Sequence, residues 1–379
     1  QIGDILGCDE KGEEICVRKG KGNLYVDGDM EKEQLFDFMR SQIYQNIQRG
    51  DSMVIVDLGS RIYKRELWIY LTIHGYRVDS YNMDCMTESD CFNCLDGLGA
   101  ENEEQIVMIA NDIIDDQKYK FMTYPVETAC KALLSAVLLA SLTEMEESDR
   151  NMLEIATIFR LGVSGTMLDK ILHVMFEELD ETSSAKQLFA MYSEAEEGIR
   201  MEAIQKIGNA LAVYEKRANG SLCDNFRTNR YDMEMPVKEK SVLFIESGQL
   251  PEDKVLFSVF MERLYDSMLK KAEERQQDVT VMLLDYPYYG GLCGLEKYME
   301  EGPEKGICTT LYEDDRKLDG SGYAPHLVEL YSLCDISVCI KDTEIPLCEI
   351  EKCENPVTGE CSKRKDGLCY YPATRNQCK

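Results

Sequence analysis

The stretch SMVIVDLGSRIYKRELWIYLTIHGYRVDSYN, residues 52–82, decides the fold. It opens with a short apolar run that ends in Asp57, a pattern typical of a strand buried on both faces of a parallel sheet. Residues 63–75 then carry apolar side chains at helical spacing and stop at Gly75. Residues 76–82 alternate again. A strand, a helix and a strand in this order predict a βαβ unit, and hence a parallel sheet covered by helices.

Strand and helix signals continue on both sides of this unit. Upstream, residues 23–28 are strand-like and residues 32–48 carry apolar side chains at helical spacing. Downstream, strand signals disappear between residues 121 and 220, where helical patterns follow one another. Strand patterns then return at 241–246, 279–285, 306–314 and 334–342, with helical patterns at 252–275 and 322–333.

This order of segments predicts an α/β fold with an insertion. We expect a parallel-sheet core in two parts, residues 1–120 and 236–345, separated by an all-α domain at 121–235 and followed by a Cys-rich tail at 346–379. The chain has 379 residues, more than one compact core usually holds, so two domains are the default.

The charge and hydropathy of the chain limit its partners. The formal net charge is −28, and a surface that negative repels nucleic-acid phosphates, so DNA binding is only weakly indicated. No apolar run is long enough to span a bilayer; the best, residues 129–142, contains Lys131 and is typical of a buried helix. The sequence starts at Gln1 without a signal peptide, so we expect a piece of a longer protein. Whether a membrane anchor precedes this piece stays open.

The segment VMLLDYPYYGG, residues 281–291, resembles the strand that ends the active site of an ATPase. Its apolar run leads into Asp285. In a nucleotide hydrolase the next residue is usually Glu, which handles the attacking water, but here it is Tyr286. The segment therefore has the shape of an ATPase motif without its catalytic carboxylate.

The stretch DGDMEKEQLF, residues 27–36, follows the first core strand, where a phosphate loop would lie. A phosphate loop needs a Gly-rich backbone, a Lys, and a Ser or Thr hydroxyl for Mg²⁺. The stretch keeps Gly28 and Lys32 but lacks the second Gly and the hydroxyl. Three carboxylates add negative charge there: Asp29, Glu31 and Glu33.

Together with the order of segments, several stretches resemble the TraG-type coupling proteins of conjugative type IV secretion. These are RecA-like hexameric ATPases that pump DNA and carry an all-α domain. The resemblance covers most of the chain, roughly residues 3–342. The matching stretches are 3–13, which resembles an opening hairpin, 52–95, 124–142, which resembles the start of the all-α domain, and 241–269. Within 52–95 the chain keeps Asp57, Gly59, Gly75–Tyr76 and Asn93–Cys94–Leu95 of the family's motifs.

The resemblance implies a degenerate nucleotide site. It places Gly28, Lys32, Asp57 and Asp285 where the family binds nucleotide, and Glu313 where the family has its sensor Gln. The phosphate loop, the catalytic Glu and the sensor are altered together, so we predict no catalytic residues and no cofactor. Residual binding of ATP and Mg²⁺ is the alternative.

The implied function is that of a catalytically degenerate subunit of a conjugative or type IV secretion system, acting through protein contacts. Two alternatives stay open: a divergent DNA-translocating ATPase that still binds nucleotide, and an unrelated acidic α/β binding protein with a metal-stabilised tail. The implied partners are other conjugation or type IV secretion proteins and further copies of the chain. The implied location is the bacterial cytoplasm, at the inner face of the membrane if an anchor precedes the chain.

Cysteines mark two further candidate sites. The tail has five of them, Cys348, Cys353, Cys361, Cys369 and Cys378, at spacings wider than most zinc knuckles. Structural Zn²⁺, disulfides and free thiols in a loosely ordered tail all fit this pattern. The stretch CFNC, residues 91–94, has knuckle spacing, but a structural role is favoured there.

Overall fold

The computed structural model describes residues 4–8, 14–17, 22–27, 32–57, 62–83, 85–86, 89–115, 122–160, 165–218, 226–246, 253–284, 292, 294–312, 330, 332–339, 364–365 and 368–369. The chain forms two compact units. The first unit contains Gln1–Tyr81, Met233–Ser247 and Leu264–Lys379, and the second contains Asn82–Asp232 and Gly248–Arg263. The domain boundaries expected from the sequence stay predictions.

The first unit is built on a seven-stranded sheet. Along the chain its strands are β3 (Asn23–Asp27), β4 (Ser52–Asp57), β5 (Arg77–Asn82), β6 (Ser241–Glu246), β7 (Val279–Leu283), β8 (Ile307–Tyr312) and β9 (Cys334–Cys339). The strand order is β5-β6-β4-β7-β8-β3-β9. From β6 to β9 every neighbouring pair is parallel. The predicted parallel core is confirmed, and segments far apart in the sequence share this single sheet.

Burial explains why β4 and β6 are apolar between their end residues. Every residue of both strands is buried, because helices cover both faces of a parallel sheet. On one face, α1 (Lys32–Arg49) and α2 (Ile62–Ile73) bury a common core with the strands, in which Met39, Ile43, Ile55 and Phe244 are fully buried. Complete burial of such side chains is worth about 1.5–3 kcal/mol each.

Aromatic residues strengthen the sheet elsewhere in the first unit. Tyr265, in α10 (Asp253–Lys271), stacks on Tyr298 of α11 (Leu295–Glu301) with ring centroids 4.8 Å apart. The hydroxyl of Tyr265 also shares a hydrogen bond of 2.9 Å with Thr309 of β8. A buried tyrosine with a satisfied hydroxyl contributes apolar area without an unpaired polar group.

Short elements complete the first unit. β1 (Asp4–Cys8) and β2 (Glu14–Val17) form an antiparallel hairpin, as the resemblance predicts, although the whole second strand lies beyond the predicted range of residues 3–13. β10 (Arg364–Lys365) and β11 (Leu368–Cys369) form another antiparallel pair, and α9 (Met235–Lys238) precedes β6. Most of the predicted helix at 322–333 lies outside the described residues.

The second unit is helical in its described part. Its helices are α3 (Glu103–Asp115), α4 (Tyr124–Glu144), α5 (Met152–Arg160), α6 (Gly165–Glu177), α7 (Ser184–Ser193) and α8 (Glu197–Arg217). The long apolar α4 packs against α3, α7 and α8. Among the described residues, α4 is the one helix whose length and composition would allow it to cross a membrane, and 72% of its most apolar window is buried in the protein.

Candidate functional site

The residues predicted for a nucleotide site lie, in the sequence, at or just after the ends of core strands. In open α/β sheets, ligands bind outside the carboxyl ends of the strands. Asp57 is the last residue of β4 and is buried, and Lys32 is the first residue of α1, which follows β3. Gly28 and Asp285 lie outside the described residues, but β3 ends at Asp27 and β7 ends at Leu283. Asp57 is therefore the one predicted site residue whose side chain the structure places.

The order of the strands brings the predicted positions into neighbouring segments. β7, β8 and β3 are consecutive neighbours, and all three run parallel. In the sequence, Asp285, Glu313 and Gly28 follow these three strands directly or within two residues. Leu284, just before Asp285, donates its backbone N–H to the carbonyl oxygen of Val56 at 3.4 Å. Strand order therefore makes neighbours of the three strands that these positions follow in the sequence.

The connection where phosphates would bind is short and acidic. β3 ends at Asp27 and α1 begins at Lys32, so only residues 28–31 lie between them. In the pattern G-x-x-x-x-G-K-[ST], about six residues precede the Lys and wrap their N–H groups around the phosphates. This connection holds Asp29 and Glu31 but no second Gly. The sequence of this connection therefore differs from a phosphate loop in length, in glycine content and in charge.

A buried ion pair beside Asp57 was not predicted from the sequence. Glu246, the last residue of β6, lies opposite Asp57 in the strand register and is 2% exposed. Its Oε2 is 2.8 Å from Nζ of Lys64, on the first turn of α2. Lys64 also donates to Oγ of Ser80 at 2.8 Å, and Ser80 donates to Glu246 Oε2 at 3.1 Å.

The cluster of Glu246, Lys64 and Ser80 has a structural role. A buried carboxylate is tolerated when a cation and hydrogen-bond donors compensate it, and Lys64 and Ser80 provide both. The cluster ties the start of α2 to the ends of β5 and β6. The sequence did carry a signal, since SVLFIE ends in an acid just as SMVIVD does. The partner of that acid could not be read from the sequence, because Lys64 is 182 positions away.

The candidate cysteines form two groups. Cys91 and Cys94 are described, whereas most of the tail cysteines lie outside the described residues. Cys91 and Cys94 are buried free cysteines, and burial raises the pKa of the Cys94 thiol to about 12, which keeps it neutral. Between them, Asn93 donates to the carbonyl oxygens of Arg150 at 2.8 Å and Arg227 at 3.4 Å. This stretch therefore acts as a structural brace within the second unit.

Metal ligands do not cluster in the described residues, where no group of three His, Cys, Asp or Glu side chains could hold an ion. Of the tail cysteines, Cys348, Cys353, Cys361 and Cys378 lie outside the described residues, and only the backbone of Cys369, in β11, is described. The predicted zinc, disulfide or free-thiol state of the tail stays a prediction.

Comparison with known proteins identifies the fold. No protein-family model and no curated protein matches the sequence. Among solved structures, the unbound bacterial conjugative coupling protein TrwBdeltaN70 is 14% identical, with a TM-score of 0.61 over 88% of this chain and 72% of that chain. Plasmid coupling protein TrwB in complex with ADP and Mg²⁺ is 14% identical, with a TM-score of 0.58 over 83% and 70%. VirB4 of Thermoanaerobacter pseudethanolicus is 12% identical, with a TM-score of 0.51 over 90% and 85%.

At these identities the likeness establishes the fold. The chain has the RecA-like fold of the conjugative coupling proteins, so the fold that the sequence resemblance predicted is confirmed.

Proposed function

We propose that this chain is a coupling-protein-like subunit of a conjugative or type IV secretion system that acts through protein contacts rather than by hydrolysing ATP. The observation that carries the proposal is the four-residue connection between β3 and α1. It joins a strand and a helix of the coupling-protein fold at the point where the fold has its phosphate loop, yet it has neither the length nor the composition to hold phosphates.

Two sequence changes at neighbouring strand ends support loss of hydrolysis. Tyr286 stands where a catalytic Glu would orient water, and Glu313 stands where a sensor Gln would contact the phosphate. Phosphoryl transfer depends on positioning and on neutralising charge, and each of these changes removes one of those contributions. The remaining Gly28, Lys32, Asp57 and Asp285 are then remnants of a nucleotide site.

The proposal includes partners and a location. The partners are other proteins of the secretion machinery and further copies of the chain, and the location is the cytoplasmic side of the bacterial inner membrane. The net charge of −28 favours protein partners over DNA.

Calorimetric titration of the purified chain with Mg-ATP tests the nucleotide site. We expect no saturable binding at concentrations up to about 1 mM, because the connection after β3 lacks the second Gly and the hydroxyl of a phosphate loop. A dissociation constant of about 1 mM corresponds to a binding free energy of only about 4 kcal/mol. The Lys32→Ala variant is expected to give the same trace. Tight Mg-ATP binding that disappears in Lys32→Ala would instead establish the alternative, a divergent ATPase that retains its nucleotide.

Conjugative transfer from the source cell tests the biological role. We expect deletion of the gene to lower the frequency of transfer, and the wild-type chain and Lys32→Ala to restore it equally, because the role does not depend on nucleotide. Immunoblots establish that both versions accumulate to the same level. A deletion with no effect on transfer refutes the secretion role, whereas rescue by the wild type alone identifies an ATPase.

A further inference from the structure

Helix α6 carries apolar side chains on two faces. One face packs into the second unit through Leu168, Leu172 and Phe176, each at most 3% exposed. The other is an apolar stripe at positions i, i+4, i+7 and i+8 that includes Met167, Ile171, Val174 and Met175. We call these four residues the α6 stripe. Val174 is 60% exposed and Met175 is 54% exposed.

The spacing of the α6 stripe is that of a docking surface. Scattered exposed apolar residues are normal, but four of them along two turns of one helix form a continuous surface. Burial inside the unit already uses the opposite face of α6, so folding of this unit does not explain the stripe. Methionine adapts to irregular partner surfaces, and two of the four stripe residues, Met167 and Met175, are methionines.

The charge next to the α6 stripe defines its partner. The helix ends at Glu177, and the residues that follow it add exposed carboxylates at Glu178, Asp180 and Glu181. The helix dipole places further negative potential at the same end. Two lysines offset part of this charge: Lys186 lies 2.8 Å from Glu181, and Lys170 is exposed on α6 one turn before Val174, away from the acidic end.

We propose that the α6 stripe binds an amphipathic helix of a partner protein, with basic residues at one end of that helix's apolar face. Such a helix would lay its apolar side chains on the stripe and its Lys or Arg residues against the acidic end. A second copy of this chain would bring the same acidic end and a charge of −28, and an anionic membrane surface would also be repelled. The inference rests on the proposed function in one respect, because it names a surface for the protein contacts.

Fluorescence anisotropy with three labelled peptides tests the inference on the full chain. The first is an amphipathic peptide of about 18 residues, long enough to become helical, with Leu on one face and Lys at one end. The second replaces its Leu by Ser, and the third replaces its Lys by Glu. We expect binding of the first peptide alone, weakening as salt is raised.

Two variants locate the binding. The double variant Val174→Glu/Met175→Glu is expected to weaken binding by about tenfold or more, as loss of a central apolar contact does. The control Ile69→Glu, at an apolar residue of α2 that is 71% exposed, is expected to leave it unchanged. Glu177→Gln/Glu178→Gln is expected to weaken binding a few-fold and flatten its salt dependence.

Several results would overturn the inference: no binding of the first peptide, equal binding of the Ser peptide, or equal loss in the Ile69→Glu control. Sedimentation of the chain alone, and flotation with anionic vesicles, test the other occupants. Self-association or vesicle binding that Val174→Glu/Met175→Glu abolishes would assign the stripe to a second copy or to a membrane. Peptide binding and conjugative transfer are independent measurements, so failure of one leaves the other interpretable.

Discussion

Replacing Lys64 by methionine is expected to lower the free energy of unfolding by about 3 kcal/mol. Glu246 has a side chain only 3% exposed, and Lys64 is the cation that compensates it at 2.8 Å. Without Lys64, a carboxylate stays buried beside Asp57, its partner in the strand register. Because the Lys64 side chain is 20% exposed and water reaches it, we expect the lower end of the range for broken buried pairs. Urea denaturation followed by circular dichroism measures the change.

The double variant Lys64→Met/Glu246→Gln separates lost charge compensation from lost packing. A neutral amide at position 246 removes the buried charge, so the double variant is expected to recover most of the stability that Lys64→Met loses. If Lys64→Met alone costs less than about 1 kcal/mol, the pair behaves as an ordinary surface ion pair, and the structural role given to the cluster is wrong.

Replacing Asp169 by alanine is expected to cost about 3 kcal/mol in the second unit. Asp169, on the buried side of α6, accepts a hydrogen bond from the Tyr192 hydroxyl at 2.7 Å and pairs with Nη2 of Arg200 at 3.1 Å. Tyr192 is fully buried, and burial, together with Asp169, raises the pKa of its hydroxyl, which stays a neutral donor. The variant removes the carboxylate from both donors, and the guanidinium keeps its hydrogen bond to the carbonyl oxygen of Ala195 at 2.7 Å. Thermal unfolding with limited proteolysis of the second unit measures the loss.

A double-mutant cycle between Asp169→Ala and Arg200→Met isolates the ion pair. We expect a coupling energy of about 1–3 kcal/mol, as for groups that share one hydrogen-bond network. Tyr192→Phe alone is expected to cost about 1 kcal/mol, the net worth of one hydrogen bond. Additive effects in the cycle would contradict the idea that the three side chains act together. Because Asp169 lies on the buried side of α6, the cycle reports on the stability of the helix and not on its exposed stripe.

Strands buried on both faces were the most predictable part of the fold. β4 and β6 are continuous apolar runs bounded by polar residues, and both ends of each strand were predicted at the correct residue. Helix α3 was missed although Ile106, Ile109 and Ile113 have helical spacing. Its acidic start resembles a solvated loop, and only its packing against α4 makes the pattern decisive.

Candidate site residues could be proposed from the sequence only where they lie at or just after the end of a predicted strand. Asp57 and the phosphate-loop position were proposed because the first ends a predicted strand and the second directly follows one. The pairing of Lys64 with Glu246 was missed because it depends on β6 lying next to β4, and periodicity along the chain carries no information on strand order. The resemblance to coupling proteins supplied the overall fold but not this pair.

The four-residue connection after β3 also constrains how a phosphate loop could arise in this chain. Side chains change one codon at a time, so Tyr286 or Glu313 could each be replaced by a single substitution. Backbone length cannot be gained that way, because extra residues must be inserted without disturbing β3 or α1. Under the proposed function, regaining a nucleotide site would therefore require an insertion and several substitutions together, whereas the surfaces of the fold can change by single substitutions.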